Sequence, residues 1–223
     1  MAEGSDRIPG IILAGGLSRR MGGGDKGLRE LGGKPLIMHV AERLSQQASP
    51  IAINANGDAS RFARFGLPVI SDVAPDHAGP LAGVLAGMRW AKEAIPEARF
   101  IVTAACDTPF FPMDLVTKFL LAPGGTHPAI VLAKSAGQIH PVFGLWSVAL
   151  ADDLMGALAS GTRKVSSWAQ EHSHFTVEFP LMGVDTKLVD SFFNANTPDE
   201  LAEAEAFLAL KIQAKLRWMD STT

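Results

Sequence analysis

The chain has 223 residues and a formal net charge of −3, and 47% of its residues are hydrophobic against 19% charged. This composition is typical of a folded globular protein with a single core, and the absence of a basic excess argues against a nucleic acid as partner. Cys106 is the single cysteine of the sequence, which excludes an internal disulfide and indicates a reducing compartment.

The N-terminal residues 1–9 are polar and charged, unlike the apolar stretch of a signal peptide. No run of about 18 apolar residues, the length that a membrane-spanning helix needs, occurs in the sequence. We therefore expect a cytoplasmic protein with no membrane partner.

The first predicted strand is the short apolar run Ile8–Ala14, which suits a strand buried on both faces. Residues 15–27 hold six glycines with two arginines, an aspartate and a lysine, and this composition predicts a long polar loop. Apolar residues at helical spacing then predict a helix over Pro35–Gln47.

Strands and helices continue to alternate up to residue 107. The pattern predicts strands at Ile51–Asn54, Pro68–Ile70 and Phe100–Ala105, separated by helices at Ala59–Phe65 and from Gly79-Pro80 to Trp90. Such alternation predicts an α/β fold with three α/β/α layers and a doubly wound, mostly parallel sheet of the Rossmann-like kind.

The pattern is looser after residue 107. Ala129–Ala133 and Gln138–Trp146 are predicted strands around a turn, and the sequence leaves open whether they run antiparallel to the others. Helices are predicted at Val148–Leu158 and Thr197–Leu210, the second with Thr197 as its N-cap.

Polar residues follow each of the first four buried strands. In open α/β sheets, ligands bind beyond the carboxyl ends of the strands. The candidates at these ends are Leu13-Ala14-Gly15, Asn54, Asp72 and Asp107, and all are expected along one edge of the sheet.

The glycine-rich loop after the first strand suits a triphosphate. Glycines allow backbone N–H groups to approach phosphate oxygens, while Arg20 and Lys26 supply positive charge. The sequence has no G-x-x-x-x-G-K-[ST], and Gly15-Gly16-Leu17-Ser18 does not supply G-x-G-x-x-G directly after the first strand, so the loop is a different phosphate-binding device.

Residues 13–26 match the pattern L-A-G-G-x-S-x-R-M-G-x-x-D-K and resemble the molybdenum cofactor guanylyltransferase family. The shorter L-A-G-G-x-S-x-R-M is shared by many sugar and cofactor nucleotidyltransferases, whereas the G-G-x-D-K ending favours the guanylyl branch. The resemblance continues, in order and spacing, through residues 32–36, Asp72 with 79–83, 106–109 and 194–198. It therefore spans most of the chain and implies the fold of the nucleotide-diphospho-sugar transferases.

The resemblance implies a role for each matching residue. The backbone of Leu13, Ala14 and Gly15 would contact the guanine nucleotide, and Asn54 and Asp72 would help to bind its base and ribose. Catalysis would depend on Lys26, which grips the phosphates, and on Asp107, which holds Mg²⁺ as the metal cofactor. Asn194, Asn196 and Arg163 resemble positions assigned to the pterin substrate.

The implied reaction is attack by the terminal phosphate of molybdopterin on the α-phosphorus of GTP, with release of pyrophosphate. The resemblance also implies that the product passes to molybdoenzymes or their chaperones. We expect one nucleotidyltransferase domain over residues 1–223, with a nucleotide-binding half at 1–110 and an acceptor half at 111–223. The sequence does not reveal the oligomeric state, and a monomer is assumed.

Simpler interpretations stand beside these roles. Lys26 and Arg20 could be solvated charges, Asp107 a cap, and Asn54 and Asp72 turn residues. Cys106 is more simply interpreted as a small buried residue, and His140 as a structural residue. The aromatic residues Trp146, Trp168, Phe192 and Phe193 are interpreted as packing residues.

Two other functions stay open at this point. One is a CTP-dependent molybdopterin cytidylyltransferase or a sugar-phosphate nucleotidyltransferase on the same scaffold. The other is a non-catalytic nucleotide-binding regulatory module. The presence of both Lys26 and Asp107 argues against a non-catalytic module.

Overall fold

A computed structural model describes residues 8–15, 25–73, 79–122, 129–184 and 187–220 of the chain. Eleven strands are assigned within these residues, most of them in one large sheet. They are β1 (Gly10–Leu13), β2 (Glu30–Leu31), β3 (Lys34–Pro35), β4 (Ile51–Asn54), β5 (Val69–Ile70), β6 (Phe100–Ala105), β7 (Ile130–Ser135), β8 (Gln138–Ser147), β9 (His174–Glu178), β10 (Met182–Val184) and β11 (Lys187–Val189).

Helices connect these strands. The α-helices are α1 (Leu36–Ser45), α2 (Pro80–Ala94), α3 (Leu115–Leu120), α4 (Ala151–Ala159), α5 (Val165–Ala169) and α6 (Pro198–Asp220). Short 3₁₀ turns occur at Lys26–Leu28, Ala59–Phe65 and Val148–Leu150. Among the described helices, none combines the length and the apolar character that crossing a membrane requires.

The main sheet has seven strands in the order β5-β4-β1-β6-β8-β7-β9. Pairs among β5, β4, β1 and β6 are parallel, whereas β8 runs antiparallel to both β6 and β7. The turn between β7 and β8 explains this reversal, because Ala136 and Gly137 both have positive φ (47° and 78°), as a tight two-residue hairpin requires. The expected mostly parallel, doubly wound sheet is confirmed.

The two faces of the sheet are covered by different helices. Along β1, Ile12 packs into a core with α1 and α3, while Ile11 packs into a second core with α2, α4 and α5. This alternation follows from the period-2 geometry of a strand and gives three layers. Ile11 and Ile12 are fully buried, and each such side chain contributes about 1.5–3 kcal/mol relative to exposure.

A third, smaller core joins the N-terminal part of α6 to β2 and to the segment after β6. Phe110 and Phe207 meet edge to face with ring centroids 4.7 Å apart. The backbone N–H of Gly32 also donates to Glu205 Oε1 at 2.8 Å. Helix α6 is thereby attached to the segments that flank the carboxyl edge of β1 and β6.

Several predicted bounds needed correction. The predicted strand Ile8–Ala14 is shorter, at Gly10–Leu13, and the helix predicted to stop at Trp90 continues to Ala94. The helix predicted over Val148–Leu158 begins as a 3₁₀ turn and becomes α4 at Ala151.

Helix α6 runs to Asp220, well past the predicted Leu210, because nothing in its sequence breaks a helix there. Its predicted start is confirmed, since Glu200 N donates to Thr197 Oγ1 at 3.2 Å. The main sheet runs through both predicted halves, with β6 from the first paired to β8 from the second. The separate roles of residues 1–110 and 111–223 stay a prediction.

Candidate active site

The carboxyl ends of β4, β1 and β6 lie side by side. Leu13 is in register with Asn54 on one side and with Ala105 on the other. Beyond the strands, Ala14 N donates to Asn54 O at 2.8 Å and Cys106 N donates to Leu13 O at 3.1 Å. Since neighbouring strands are about 4.8 Å apart, these connections place the candidate residues along one edge.

Gly15 is exposed at this edge, where a ligand could approach its backbone. Among the described residues, no atom lies within 4 Å of a Cβ atom added to Gly15, so none of them blocks its backbone. Open space beside a backbone amide suits an anionic ligand. Residues 16–24, which include Arg20, lie outside the described residues, and a phosphate role for Arg20 stays a prediction.

Lys26 and Asp107 form the charged centre of the candidate site. Lys26 Nζ lies 3.6 Å from Asp107 Oδ2 and donates to Asn196 Oδ1 at 2.6 Å. The side chains of Lys26 and Asp107 are 25% and 12% exposed, so both are largely shielded yet reachable by a ligand. Three segments far apart in sequence therefore converge on one ammonium group.

The segment 194–197 is fixed against the turn that carries Asp107. Ala195 N donates to Asp107 O at 2.9 Å, and Thr108 Oγ1 donates to Asn194 Oδ1. Two of the residues expected to contact the pterin, Asn194 and Asn196, thus lie beside Lys26 and Asp107.

Local packing explains why Lys26 reaches Asp107. The next residue, Gly27, packs against Cys106, and an added Cβ would lie 3.2 Å from Cys106 Cβ. A larger side chain would push the 3₁₀ turn away from the end of β6. On the other side, Asp25 Oδ2 lies 2.6 Å from Arg61 Nε, an anchor that the sequence did not predict.

Asn54 and Asp72 form a second polar group at the same edge. Asn54 Nδ2 donates to Asp72 Oδ1 at 2.9 Å, and Asn56 Nδ2 donates to Asp72 Oδ2 at 2.7 Å. Asp72 N donates to Asn56 Oδ1 at 2.9 Å. The two predicted residues are in contact, and their expected roles toward base and ribose stay predictions. Asn56 was missed because a single asparagine in a turn carries no signal of its own.

We predict that Gly83→Ala weakens GTP binding by about tenfold, a free-energy change of about 1.4 kcal/mol. Gly83 lies in the first turns of α2, and an added Cβ would be 2.3 Å from Asn54 Oδ1 and 2.7 Å from Leu13 Cδ2. The methyl group would therefore displace both residues at the site. Calorimetric titration with GTP measures the effect.

Gly156→Ala is the matched control for that substitution. Gly156 lies exposed in α4 with no atom within 4 Å of an added Cβ, and alanine there should raise stability by up to about 1 kcal/mol. Wild-type GTP affinity in Gly83→Ala would contradict the expected roles of Asn54 and Leu13 in binding the nucleotide.

Arg163 does not join the other two residues expected to contact the pterin. Its Nη1 donates to Leu158 O at 2.8 Å and to Thr162 O at 2.9 Å, at the end of α4. Its backbone oxygen lies 3.6 Å from an added Cβ on Gly79, near the start of α2. Within the described residues, no hydrogen bond or ion pair connects Arg163 to Asn194 or Asn196.

A polar cluster of Ser135, His140 and Asp190 supports the segment that carries Asn194 and Asn196. Ser135 Oγ lies 2.6 Å from His140 Nε2 and donates to the Asp190 carboxylate at 2.7 Å. Ser135 is fully buried, so it is not an accessible nucleophile. The arrangement favours the structural interpretation of His140. The cluster was not predicted, because its three side chains come together only when the strands pair.

We predict that protonation of His140 destabilises the folded state. Burial lowers the pKa of His140, against smaller opposing effects of the carboxylates of Asp190 and Glu178. A histidine in the unfolded chain has a pKa near 6.5 and takes up its proton first, so stability falls as the pH drops below about 6.5. Urea unfolding between pH 8 and 5 measures this slope.

A His140→Gln variant should show a flatter dependence of unfolding free energy on pH. His174→Gln removes an exposed histidine and serves as the control. An unchanged slope in His140→Gln would contradict the prediction.

The packing interpretations are confirmed for the residues that are buried. Cys106 is 6% exposed, and burial together with the neighbouring Asp107 charge raises the pKa of its thiol, which disfavours a nucleophilic thiolate. Trp146, Trp168 and Phe192 are buried in the two main cores, and Phe193 packs against the third.

The donor groups of the candidate site suit one hard cation that takes few of its ligands from the protein. Within the described part of the chain, no group of three or more His, Cys, Asp or Glu side chains is arranged around a metal position. Asp107 supplies a carboxylate at the site, and Mg²⁺ is commonly bound by one or two carboxylates with substrate phosphates and waters completing its shell. This donor set suits magnesium and does not suit zinc.

The α/β sheet and the lysine–aspartate pair at its carboxyl edge suit a nucleotidyltransferase, and the family comparison shows this class. The chain belongs to the MobA-like NTP transferase domain family, whose model matches residues 10–175. This membership confirms the resemblance inferred from residues 13–26.

Two relatives carry the name molybdenum cofactor guanylyltransferase. The one from Bradyrhizobium sp. (strain ORS 278) is 46% identical over 205 residues, which cover 92% of this chain and 94% of the relative. The one from Cereibacter sphaeroides is 48% identical over 202 residues, covering 91% and 97%.

Two solved structures share the fold. Molybdopterin-guanine dinucleotide biosynthesis protein A from Archaeoglobus fulgidus has a TM-score of 0.69 and 24% identity, covering 91% of this chain and 99% of that one. The 4-diphosphocytidyl-2C-methyl-D-erythritol synthase from Anaerococcus prevotii has a TM-score of 0.68 and 14% identity, covering 92% and 97%. Both likenesses confirm the three-layer α/β fold.

Proposed function

We propose that the protein transfers GMP from GTP to molybdopterin, forming the guanine dinucleotide cofactor and pyrophosphate. The observation that carries the proposal is the placement of Lys26 Nζ between Asp107 Oδ2, at 3.6 Å, and Asn196 Oδ1, at 2.6 Å. Lys26 and Asp107, which are expected to act on the nucleotide, are thereby connected to Asn196, which is expected to contact the pterin. The names of relatives at 46% and 48% identity support the choice of GTP and molybdopterin.

The reaction needs no protein nucleophile, because the terminal phosphate of molybdopterin attacks the α-phosphorus of GTP. Both reactants are anions, so the protein must hold them in line and offset their charge. Lys26 is oriented by Asp107 and Asn196, which reduces the reorganisation that catalysis requires. The exposed backbone at Gly15 would bind the nucleotide beside it.

Magnesium is the cofactor in this proposal, and Asp107 would hold it. When bound, the ion would offset phosphate charge and help to align the reacting groups. Asp107 can take this role because its side chain is 12% exposed and, among the described residues, the hydrogen-bond contact of its Oδ1 is a long one of 3.5 Å from Thr108 Oγ1.

The alternatives differ in nucleotide or acceptor. The scaffold alone does not choose among them, since the Anaerococcus prevotii structure of similar TM-score is named for a diphosphocytidyl product. The relatives favour GTP over CTP. A non-catalytic module is disfavoured because such a module needs no lysine–aspartate pair between two substrate sides.

Pyrophosphate release by the purified protein tests the proposal. The assay contains Mg²⁺ and molybdopterin with either GTP or CTP, and a parallel reaction replaces molybdopterin by a sugar 1-phosphate. We expect release with GTP and molybdopterin only. Release with CTP or the sugar phosphate would identify the corresponding alternative, and GTP binding without release in any mixture would indicate the regulatory module.

The remaining assignments belong to the same proposal. A cytoplasmic location fits because the donor GTP is a cytoplasmic nucleotide. Molybdoenzymes or their chaperones would receive the product, and a monomer is the assumed working form. Residues 1–110 would bind the nucleotide and residues 111–223 the acceptor, consistent with the position of Asn194 and Asn196 in the second half.

A further inference from the structure

A cleft of about 480 Å³ lies between α1, the segment that follows Asp107 and α6. Its volume is within the range of about 300–1,000 Å³ that is usual for small-molecule sites. The residues that decide its chemistry are Arg43, Lys211, Pro109, Phe110, Met113 and Leu208. It combines an apolar floor with two cationic side chains.

The two cations of the cleft lack acidic partners. Arg43 Nε donates to Phe111 O, and its guanidinium carbon lies 5.8 Å from the centroid of the Phe111 ring. Lys211 Nζ lies 5.7 Å from the Phe110 centroid and 5.5 Å from that of Phe207. Within the described residues, neither cation forms an ion pair with a carboxylate.

The other ionisable groups of the cleft are already engaged. Glu42 Oε2 accepts a hydrogen bond from Lys34 Nζ at 2.6 Å, and His39 Nε2 is 2.8 Å from Leu31 O. Glu42 and His39 therefore do not neutralise the positive charges of Arg43 and Lys211 in the cleft. Burial lowers the pKa of both, and the charge of Arg43 lowers that of Lys211 further.

Charges that have lost part of their hydration and repel one another are stabilised by an anion. We propose that this cleft binds an organic anion, in which a carboxylate or phosphate group is attached to an apolar, preferably aromatic, body. The guanidinium of Arg43 offers a planar fork for such a head group, and Lys211 adds a point charge. Phe110, Leu208 and the adaptable side chain of Met113 would contact the apolar body.

The cationic end of the cleft, at Lys211, lies away from the candidate active site, whereas Pro109 at its other end follows Asp107 by two residues. Helix α6 begins at that site, where Glu200 Oε2 accepts from Asn196 N at 2.8 Å. Lys211 lies 11 residues further along the helix, which corresponds to about 17 Å along its axis. A nucleotide held by Lys26 and an anion held by Lys211 would therefore occupy different places.

Calorimetric titration of the full chain with 1-naphthyl phosphate and, separately, with 2-naphthoate tests the proposal. The two probes distinguish a phosphate from a carboxylate head group. Neutral 2-naphthalenemethanol and inorganic phosphate test the need for charge and for an apolar body. We expect saturable binding of at least one naphthyl anion, at least tenfold tighter than either control, and unchanged by excess GTP with Mg²⁺.

Lys211→Met should weaken that binding at least tenfold, because it removes the charge and keeps an apolar stem at a half-buried helix position. Arg43→Met should have a similar effect. Lys118→Met is the matched control, since Lys118 Nζ also lies over a ring, 4.9 Å from the Phe179 centroid, but pairs with Asp114 at 3.0 Å.

Wild-type binding in Lys211→Met, equal binding of the neutral probe, or complete displacement by GTP would overturn the proposal. These are binding measurements, so they stand independently of whether the protein transfers GMP.

Discussion

Replacement of Asp107 by alanine is expected to lower kcat/KM for guanylyl transfer by at least about 100-fold while the protein stays folded. The loss follows from the proposed role, since a bound metal ion supplies several kcal/mol of transition-state charge stabilisation. The fold should survive because the backbone bond from Ala195 N to Asp107 O does not involve the side chain. Without the carboxylate, Lys26 keeps its hydrogen bond to Asn196 Oδ1, so its ammonium group is not left without a partner.

The dependence on Mg²⁺ separates a metal ligand from a residue that only supports its neighbours. Initial rates measured over a range of Mg²⁺ concentrations should show that Asp107→Ala needs far more metal for half-maximal velocity. Asp114→Ala is the control, because its exposed carboxylate pairs with Lys118 on α3. Undiminished transfer by Asp107→Ala, or a rate loss with an unchanged Mg²⁺ requirement, would refute the assignment.

The most accurate predictions from sequence concern strands that are buried on both faces. Ile51–Asn54 and Phe100–Ala105 were predicted with their observed bounds, because each is an apolar run that ends at a polar turn. The strand His174–Glu178 was missed, since its residues are exposed or half-buried and show no continuous apolar run. The short helix Val165–Ala169 gave too few turns for a helical period to be visible.

Part of the site followed from the rule that ligands bind beyond the carboxyl ends of parallel strands. That rule, with the family pattern, predicts from sequence alone that Leu13-Ala14-Gly15, Asn54 and Asp107 lie at one edge, as they do in the structure. The contact between Lys26 and Asn196 joins residues 170 positions apart and depends on how α6 packs. No local period encodes such a contact.

The supporting residues were the hardest to predict. Arg61 anchors Asp25, and Asp190 holds Ser135, yet each is a common polar residue in a turn or at a strand end. Their roles depend on distances between segments, which are fixed only once the sheet and its helices have assembled. Gly83 belongs to residues 79–83, which match the family pattern, but its close approach to Asn54 could be recognised only from the structure.

Replacement of Lys26 by alanine should remove about 2–4 kcal/mol of transition-state stabilisation, which is about a 30- to 900-fold loss in rate. Its ammonium group is held by Asn196 and Asp107 and is 25% exposed, so it can reach a phosphate without a change in the surrounding fold. Because charge is redistributed over the phosphates as the bond to pyrophosphate breaks, the loss should be larger in kcat than in KM.

Steady-state kinetics of Lys26→Ala and of the control Lys118→Ala, both with GTP and molybdopterin, measure this effect. Lys118 lies on α3 and pairs with Asp114 at 3.0 Å, so its removal should leave the rate unchanged. Thermal unfolding of both variants checks that the fold is kept; the exposed Lys118 pair stabilises by at most about 1 kcal/mol, so Lys118→Ala should unfold close to wild type. Unchanged kinetics in Lys26→Ala would remove Lys26 from the catalytic machinery, and a loss confined to KM would reduce its role to ground-state binding of the nucleotide.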